Sequence, residues 1–193
     1  MPNDLRNYRR NSKMAEDRDI KIYVGKEISE RNDFQRISDD IDRNRRNGNS
    51  EKAKALGERL AKIRPDCKKL ALSCDNMPAS ELYCVRVLLT FTAEYAVRKY
   101  ISSDSLADTV SSSMYDYLKN EESRYYDNIS DGSAFTFYLL ALKKTGETAK
   151  NIGEQFAKRC GTDHKEYEEM GAEIFNTALN LFKKFIDEAD FIA

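Results

Sequence analysis

The sequence predicts an all-α fold, on three observations. Gly and Pro together supply only 11 of the 193 residues, about half their share of an average chain and too few for an architecture of many short, turn-linked strands. Apolar residues recur at three- and four-residue steps along most of the chain, which is the period of an amphipathic helix. No segment alternates β-branched and polar residues as a half-buried strand would. The expected architecture is a bundle of six to eight helices with a charged N-terminal helical arm, the alternative being a short α-α superhelix of stacked helix pairs. The stretch from Ala53 to Ile63-Arg64-Pro65 has the flavour of a tetratricopeptide ending, but no second copy follows at a fixed spacing, which favours the bundle.

The elements follow in order. Residues 1–14 are rich in Asn and Arg, with scattered Leu5 and Tyr8, and read as a disordered or frayed basic tail. From Ala15 a charged helix carries Ile20, Val24 and Ile28, then Phe34, Ile37 and Ile41; Gly25 weakens it, and the spacing admits a break between Glu30 and Phe34. Arg45-Arg46-Asn47-Gly48 marks its end, with cations in the last turn and glycine beyond. Asn49 or Ser50 is expected to cap a second helix bearing Ala53, Leu56, Leu60 and Ile63, and Pro65 stops that stripe or opens the next short helix.

Met77-Pro78 opens the central helix, where Arg86, Thr90, Glu94 and Arg98 recur every four residues and predict one wet stripe on an otherwise apolar cylinder. Ser102-Ser103-Asp104 breaks it and caps a helix with Leu106, Val110, Met114, Tyr117 and Leu118 on one side. That helix fades through Arg124-Tyr125-Tyr126 to a turn at Ser130-Asp131-Gly132. A short greasy helix covers 134–144, and Gly146 and Gly161 bracket another that carries Ala149, Ile152, Phe156 and Cys160. Thr162 is expected to cap the last helix, whose stripes run through Tyr167, Met170, Ile174, Ala178, Leu181 and Phe185, and through Phe175, Leu179, Phe182 and Ile186.

Charge and aromatics divide the chain. Residues 1–69 hold 19 Lys plus Arg against 13 Asp plus Glu, a balance of +6, whereas 70–193 hold 13 and 20, a balance of −7. Of the 20 aromatics, only Tyr8, Tyr23 and Phe34 precede position 82. Aromatics bury the most area per residue, so the core is expected in 77–193. Residues 15–76 form a charged arm or a hairpin packed on that core, 1–14 form the tail, and the whole makes one domain.

Several chemistries lack support. His164 is the only histidine, which excludes a two-histidine metal site within one chain, and no C-x-x-C pair exists for zinc or iron–sulfur. Cys67 and Cys74 are two helical turns apart, roughly 10 Å, too far to bridge. Cys160 near His164 has the composition of a thiol nucleophile with a base, but Cys160 ends an apolar stripe and His164 reads as a solvated first-turn residue. No two glycines are spaced as in a phosphate loop, and adjacent acids such as Glu121-Glu122 read as solvated helix faces. No catalytic residue, metal or cofactor is therefore assigned.

The apolar segment 82–101 contains Arg86, Glu94, Arg98 and Lys99, each costing about 2.5–3.5 kcal/mol at a bilayer centre, so no membrane role is expected. The start of the chain lacks the apolar run of a secretory leader, and the four cysteines read as reduced thiols of a cytoplasmic protein. The expected function is protein–protein interaction or self-association. Tyr115, Tyr117, Tyr125 and Tyr126 are the candidate partner surface, because tyrosine joins a large apolar face to a polar tip. The alternative is a nucleic-acid-associated regulator gripping phosphates with Arg9, Arg10, Arg43, Arg45, Arg46, Lys52 and Lys54, although interleaved Asp39, Asp40, Asp42 and Glu51 dilute that field. An enzyme of unknown class is the third reading.

Overall fold

The computed structural model describes residues 34–64 and 77–192. Every regular element among them is helical, as the periodicity predicts: α1 (34–46), α2 (Asn49–Ala61), α3 (Ala79–Tyr100), α4 (Asp104–Glu121), α5 (Ser123–Ile129), α6 (Thr136–Leu142), α7 (Thr148–Arg159) and α8 (Lys165–Ala189), with a 3-10 turn at Ser133–Phe135 leading into α6. The expected tail with Arg9 and Arg10, the helix from Ala15 as far as residue 33, Pro65, Cys67 and Cys74 lie outside the described residues.

The chain divides between Arg43 and Asn44. In the first part, residues 34–43 are helical, with Phe34, Ile37 and Ile41 exposed. Local pairs line this helix: Gln35 donates to Asp39 at 2.8 Å, and Arg43 pairs with Asp40.

From Asn44 onward the helices form a bundle centred on α3. Val85, Val87, Leu88, Leu89, Phe91, Ala93, Ala96 and Val97 are all buried, and a helix apolar around most of its girth needs cover on several sides. That cover comes from α8, α4, α7 and α2, while α2 packs along α4 and α7 along α8. Leu56 and Leu60 of α2 and Phe156, Phe175 and Phe182 of α7 and α8 belong to the same core; each such side chain removed from water contributes about 1.5–3 kcal/mol. The α7–α8 crossing depends on a missing side chain. A Cβ on Gly153 would stand 2.1 Å from the Glu168 carbonyl oxygen, so the two backbones touch there.

Some end signals work as read. Ser103 caps α4 by accepting from the Leu106 amide at 3.3 Å, and Gly146 and Gly161 flank α7. Two expected caps are corrected. Gly48, with φ of 79°, takes the cap position of α2 and offers no side chain, while Asn47 Oδ1 accepts from the Asn49 amide at 3.2 Å. Asn49 is buried and engaged elsewhere: its Nδ2 donates to Asn44 Oδ1 at 3.1 Å and to the Ile192 carbonyl at 2.7 Å, and its Oδ1 accepts from the Ile192 amide at 2.9 Å. Tertiary partners have claimed the side chain assigned to local capping. His164 holds the corresponding position of α8, and Thr162 Oγ1 accepts from the His164 amide at 3.2 Å, inside the turn before the helix.

The wet stripe on α3 is also corrected. Arg86 and Thr90 are buried, Glu94 is half-buried and only Arg98 is exposed. Four-residue spacing identifies one face of a helix, but not what covers it; here the end of α2 and α5 close over its first half.

Candidate ligand-binding hollow between α6 and α7

The seven residues of α6 include five large apolar side chains. So short a helix turns only one side to the bundle: Tyr138 and Ala141 are buried, while Phe137, Leu139 and Leu140 remain 62%, 51% and 54% exposed. Contiguous exposed apolar surface of this kind marks interaction sites.

Beside it lies a hollow of about 330 Å³, lined by Ala134, Phe137, Tyr138, Gln155, Lys158 and Arg159. Its chemistry is set by donors without acceptors. Tyr138 is 1% exposed and its hydroxyl has no partner; Arg159 Nε is likewise buried and unpartnered. Each such group forgoes about 1–3 kcal/mol. Arg159 Nη1 donates to the Ala134 carbonyl at 3.2 Å, and its guanidinium carbon stands 5.9 Å from the Tyr83 ring centre. Among the described residues no carboxylate pairs with Arg159 or Lys158. Burial pushes the Tyr138 phenol well above its ordinary value, with the Arg159 charge opposing, so it is a neutral donor. Leu139 and Leu140 extend the apolar rim along α6, and Lys143 is exposed just past its end.

A second arginine shows what a charge-paired site looks like in this fold. Arg86 Nη2 donates to Glu122 Oε1 and to the Ala61 carbonyl, both at 2.9 Å, and Arg64 reaches the same Glu122 oxygen at 2.6 Å. Thr90 Oγ1 lies 2.7 Å from the Tyr125 hydroxyl, which donates to the Arg86 carbonyl at 3.2 Å. Burial pulls Arg86 below its ordinary value, and the Glu122 carboxylate counters it.

The four tyrosines expected to form a partner surface keep part of their area in solvent. Tyr115, Tyr117, Tyr125 and Tyr126 are all half-buried and packed against the core. Burial pushes Tyr125 up to about 12 and Tyr115 further still, and Lys62 Nζ sits 5.0 Å over the Tyr117 ring. Of the basic candidates, Arg43 pairs with Asp40, Lys54 pairs with Glu51 at 2.8 Å, Lys52 donates to the Asp190 carbonyl, and Arg45 and Arg46 are exposed on α1. The structure does not bring Cys160 to an imidazole: His164 is exposed, and the neighbour of Cys160 is the thiol of Cys84.

Sequence reasoning noted that α6 is greasy but assigned it no role. The available signal was its length, since seven residues cannot bury five large apolar side chains on one face. Among the described residues no group of three or more His, Cys, Asp or Glu is placed to hold a metal ion, and no helix is long and apolar enough to cross a membrane. No protein-family model matches the chain, and neither a curated protein nor a solved structure resembles it closely enough to count as a match.

Proposed function

We propose that this chain is a non-catalytic helical binding module, and that the hollow between α6 and α7 seats an acidic segment of a partner protein with a bulky apolar side chain beside a carboxylate. The observation that carries this reading is Arg159, a half-buried guanidinium with no counter-charge among the described residues, beside a buried phenol with no acceptor among them. A carboxylate that reaches both accepts from both, and charge-assisted hydrogen bonds are about twice as strong as neutral ones. The hollow's volume of about 330 Å³ is room for one large side chain and stands at the small end of the roughly 300–1,000 Å³ of small-molecule sites. Phe137, Leu139 and Leu140 supply apolar area around the charged centre. The lining has cations and donors without a carboxylate or imidazole, which supports binding over acid–base chemistry.

Selection of displayed random peptides on the full chain and on a Phe137→Ser/Lys158→Glu variant tests the reading. The parent chain is expected to enrich sequences joining Asp or Glu to Leu, Phe or Met, and the variant to lose them at least tenfold. Equal enrichment on both would overturn the hollow as the site. So would a concentration-dependent dimer in sedimentation that Leu139→Ser/Leu140→Ser dissolves, because a second copy would then be the occupant. Salt-sensitive binding of nucleic acid, unchanged in the variant, would point instead to the basic residues of the first third.

A further inference from the structure

Cys84 and Cys160 are far apart in sequence and adjacent in the fold. Cys84 stands in the second turn of α3, and Cys160 directly follows α7. The Cys84 thiol donates to the Arg159 carbonyl at 3.4 Å, which anchors it one residue from Cys160, and each thiol shifts the other's proton affinity. Both are free; Cys84 is buried and Cys160 half-buried, so the pair touches the surface through one member. The groups facing it are the Arg159 guanidinium, the Glu81 carboxylate one turn earlier on α3, and the Tyr138 phenol from α6. Glu81 in turn accepts from the Tyr167 hydroxyl at 2.8 Å.

We infer that Cys84 and Cys160 form a reversible disulfide in response to hydroperoxides, making the α3–α7 contact a redox modification site. In the first step a thiolate sulfur attacks the peroxide; the O–O bond breaks, a sulfenic acid forms, and the other oxygen takes up the proton that the thiol had released and leaves as water or an alcohol. In the second step the neighbouring sulfur attacks the sulfenic sulfur. The S–O bond breaks, the S–S bond forms, and the hydroxyl departs as water with the attacking thiol's proton. Two electrons pass from the sulfurs to the peroxide, and a dithiol returns them by exchange.

The surroundings fit each step. The interaction with Cys160, aided by the Arg159 charge, brings Cys84 down to about 7 against burial and Glu81, which favours Cys84 as the sulfur that gives up its proton and attacks. The same interaction, with burial, holds the proton on Cys160. With the Cys84 sulfur held against the carbonyl of the residue before Cys160, the resolving thiol follows directly in the chain, where a disulfide of roughly 2.05 Å can be sought.

Peroxide treatment of the full chain, followed by alkylation of remaining thiols and digestion with trypsin and a glutamate-specific protease, tests this. Cleavage after Glu81 and Arg86 separates Cys84 from Cys74, and cleavage after Arg159 and Lys165 isolates Cys160. The expected product is a linked pair of these two peptides, about 2 Da lighter than their sum, that disappears on dithiothreitol treatment. Sulfinic or sulfonic acid at either position without the linked pair would overturn the inference. So would preferential linkage of Cys84 or Cys160 to Cys67 or Cys74.

Discussion

Arg86 on α3 and Arg159 on α7 begin alike. Their guanidinium carbons stand 5.1 Å from the Tyr125 ring centre and 5.9 Å from that of Tyr83, each donates to a backbone carbonyl, and each has a buried Nε without an acceptor. They part over counter-charge. Arg86 has Glu122, which Arg64 also grips; Arg159 has no carboxylate among the described residues. The tyrosines follow suit: the Tyr125 hydroxyl is bonded twice and the Tyr138 hydroxyl not at all. One fold thus holds one buried arginine with a carboxylate partner and one with none among the described residues, and the second lines the hollow. A buried polar group without a partner calls for an explanation, and a missing ligand is the explanation proposed for Arg159.

Removing the counter-charge from the charge-paired site should have the largest effect. Glu122→Ala leaves Arg86 buried and unpaired and is expected to lower stability by about 3 kcal/mol, read from urea unfolding; a loss below about 1 kcal/mol would mean that solvent reaches Arg86. Arg159→Met should behave oppositely, changing stability by no more than about 0.5 kcal/mol while weakening capture of an acidic–apolar peptide about tenfold, or about 1.4 kcal/mol, by fluorescence anisotropy. If it destabilises as Glu122→Ala does, Arg159 is structural and the contrast fails. Tyr125→Phe removes a hydroxyl with two partners and should cost about 1 kcal/mol. Tyr138→Phe removes one with none, so thermal unfolding should show no loss and a gain of up to about 1 kcal/mol. A loss there would show that the phenol has an acceptor.

What could be read in advance follows from the range of the physics. Gly48, Ser103, Gly146 and Gly161 end or begin helices through bonds within a few residues, and their residue types announce it. Asn49 and Thr162 are the same kind of residue, but a partner 143 positions away claims the first and a turn absorbs the second. The α3 stripe was legible as a face; that Ala61, Glu122 and Tyr125 would close over Arg86 and Thr90 was not, because periodicity is silent about neighbours. The tyrosine cluster was legible as composition, and its four members are partly buried against the core. The hollow and the thiol pair arise where α6, α7 and the start of α3 meet, a juxtaposition that no local signal carries.

The bare hydrogen of Gly153 against the Glu168 carbonyl constrains whatever enters the hollow. Helices meshed backbone to backbone cannot slide or roll past each other without breaking that fit, so α7 presents Gln155, Lys158 and Arg159 as a fixed wall. Any accommodation of a larger guest must come from the opposite side, where α6 is two turns long and held by few buried side chains. The size limit for a bound side chain is therefore set by how far that short rod can swing.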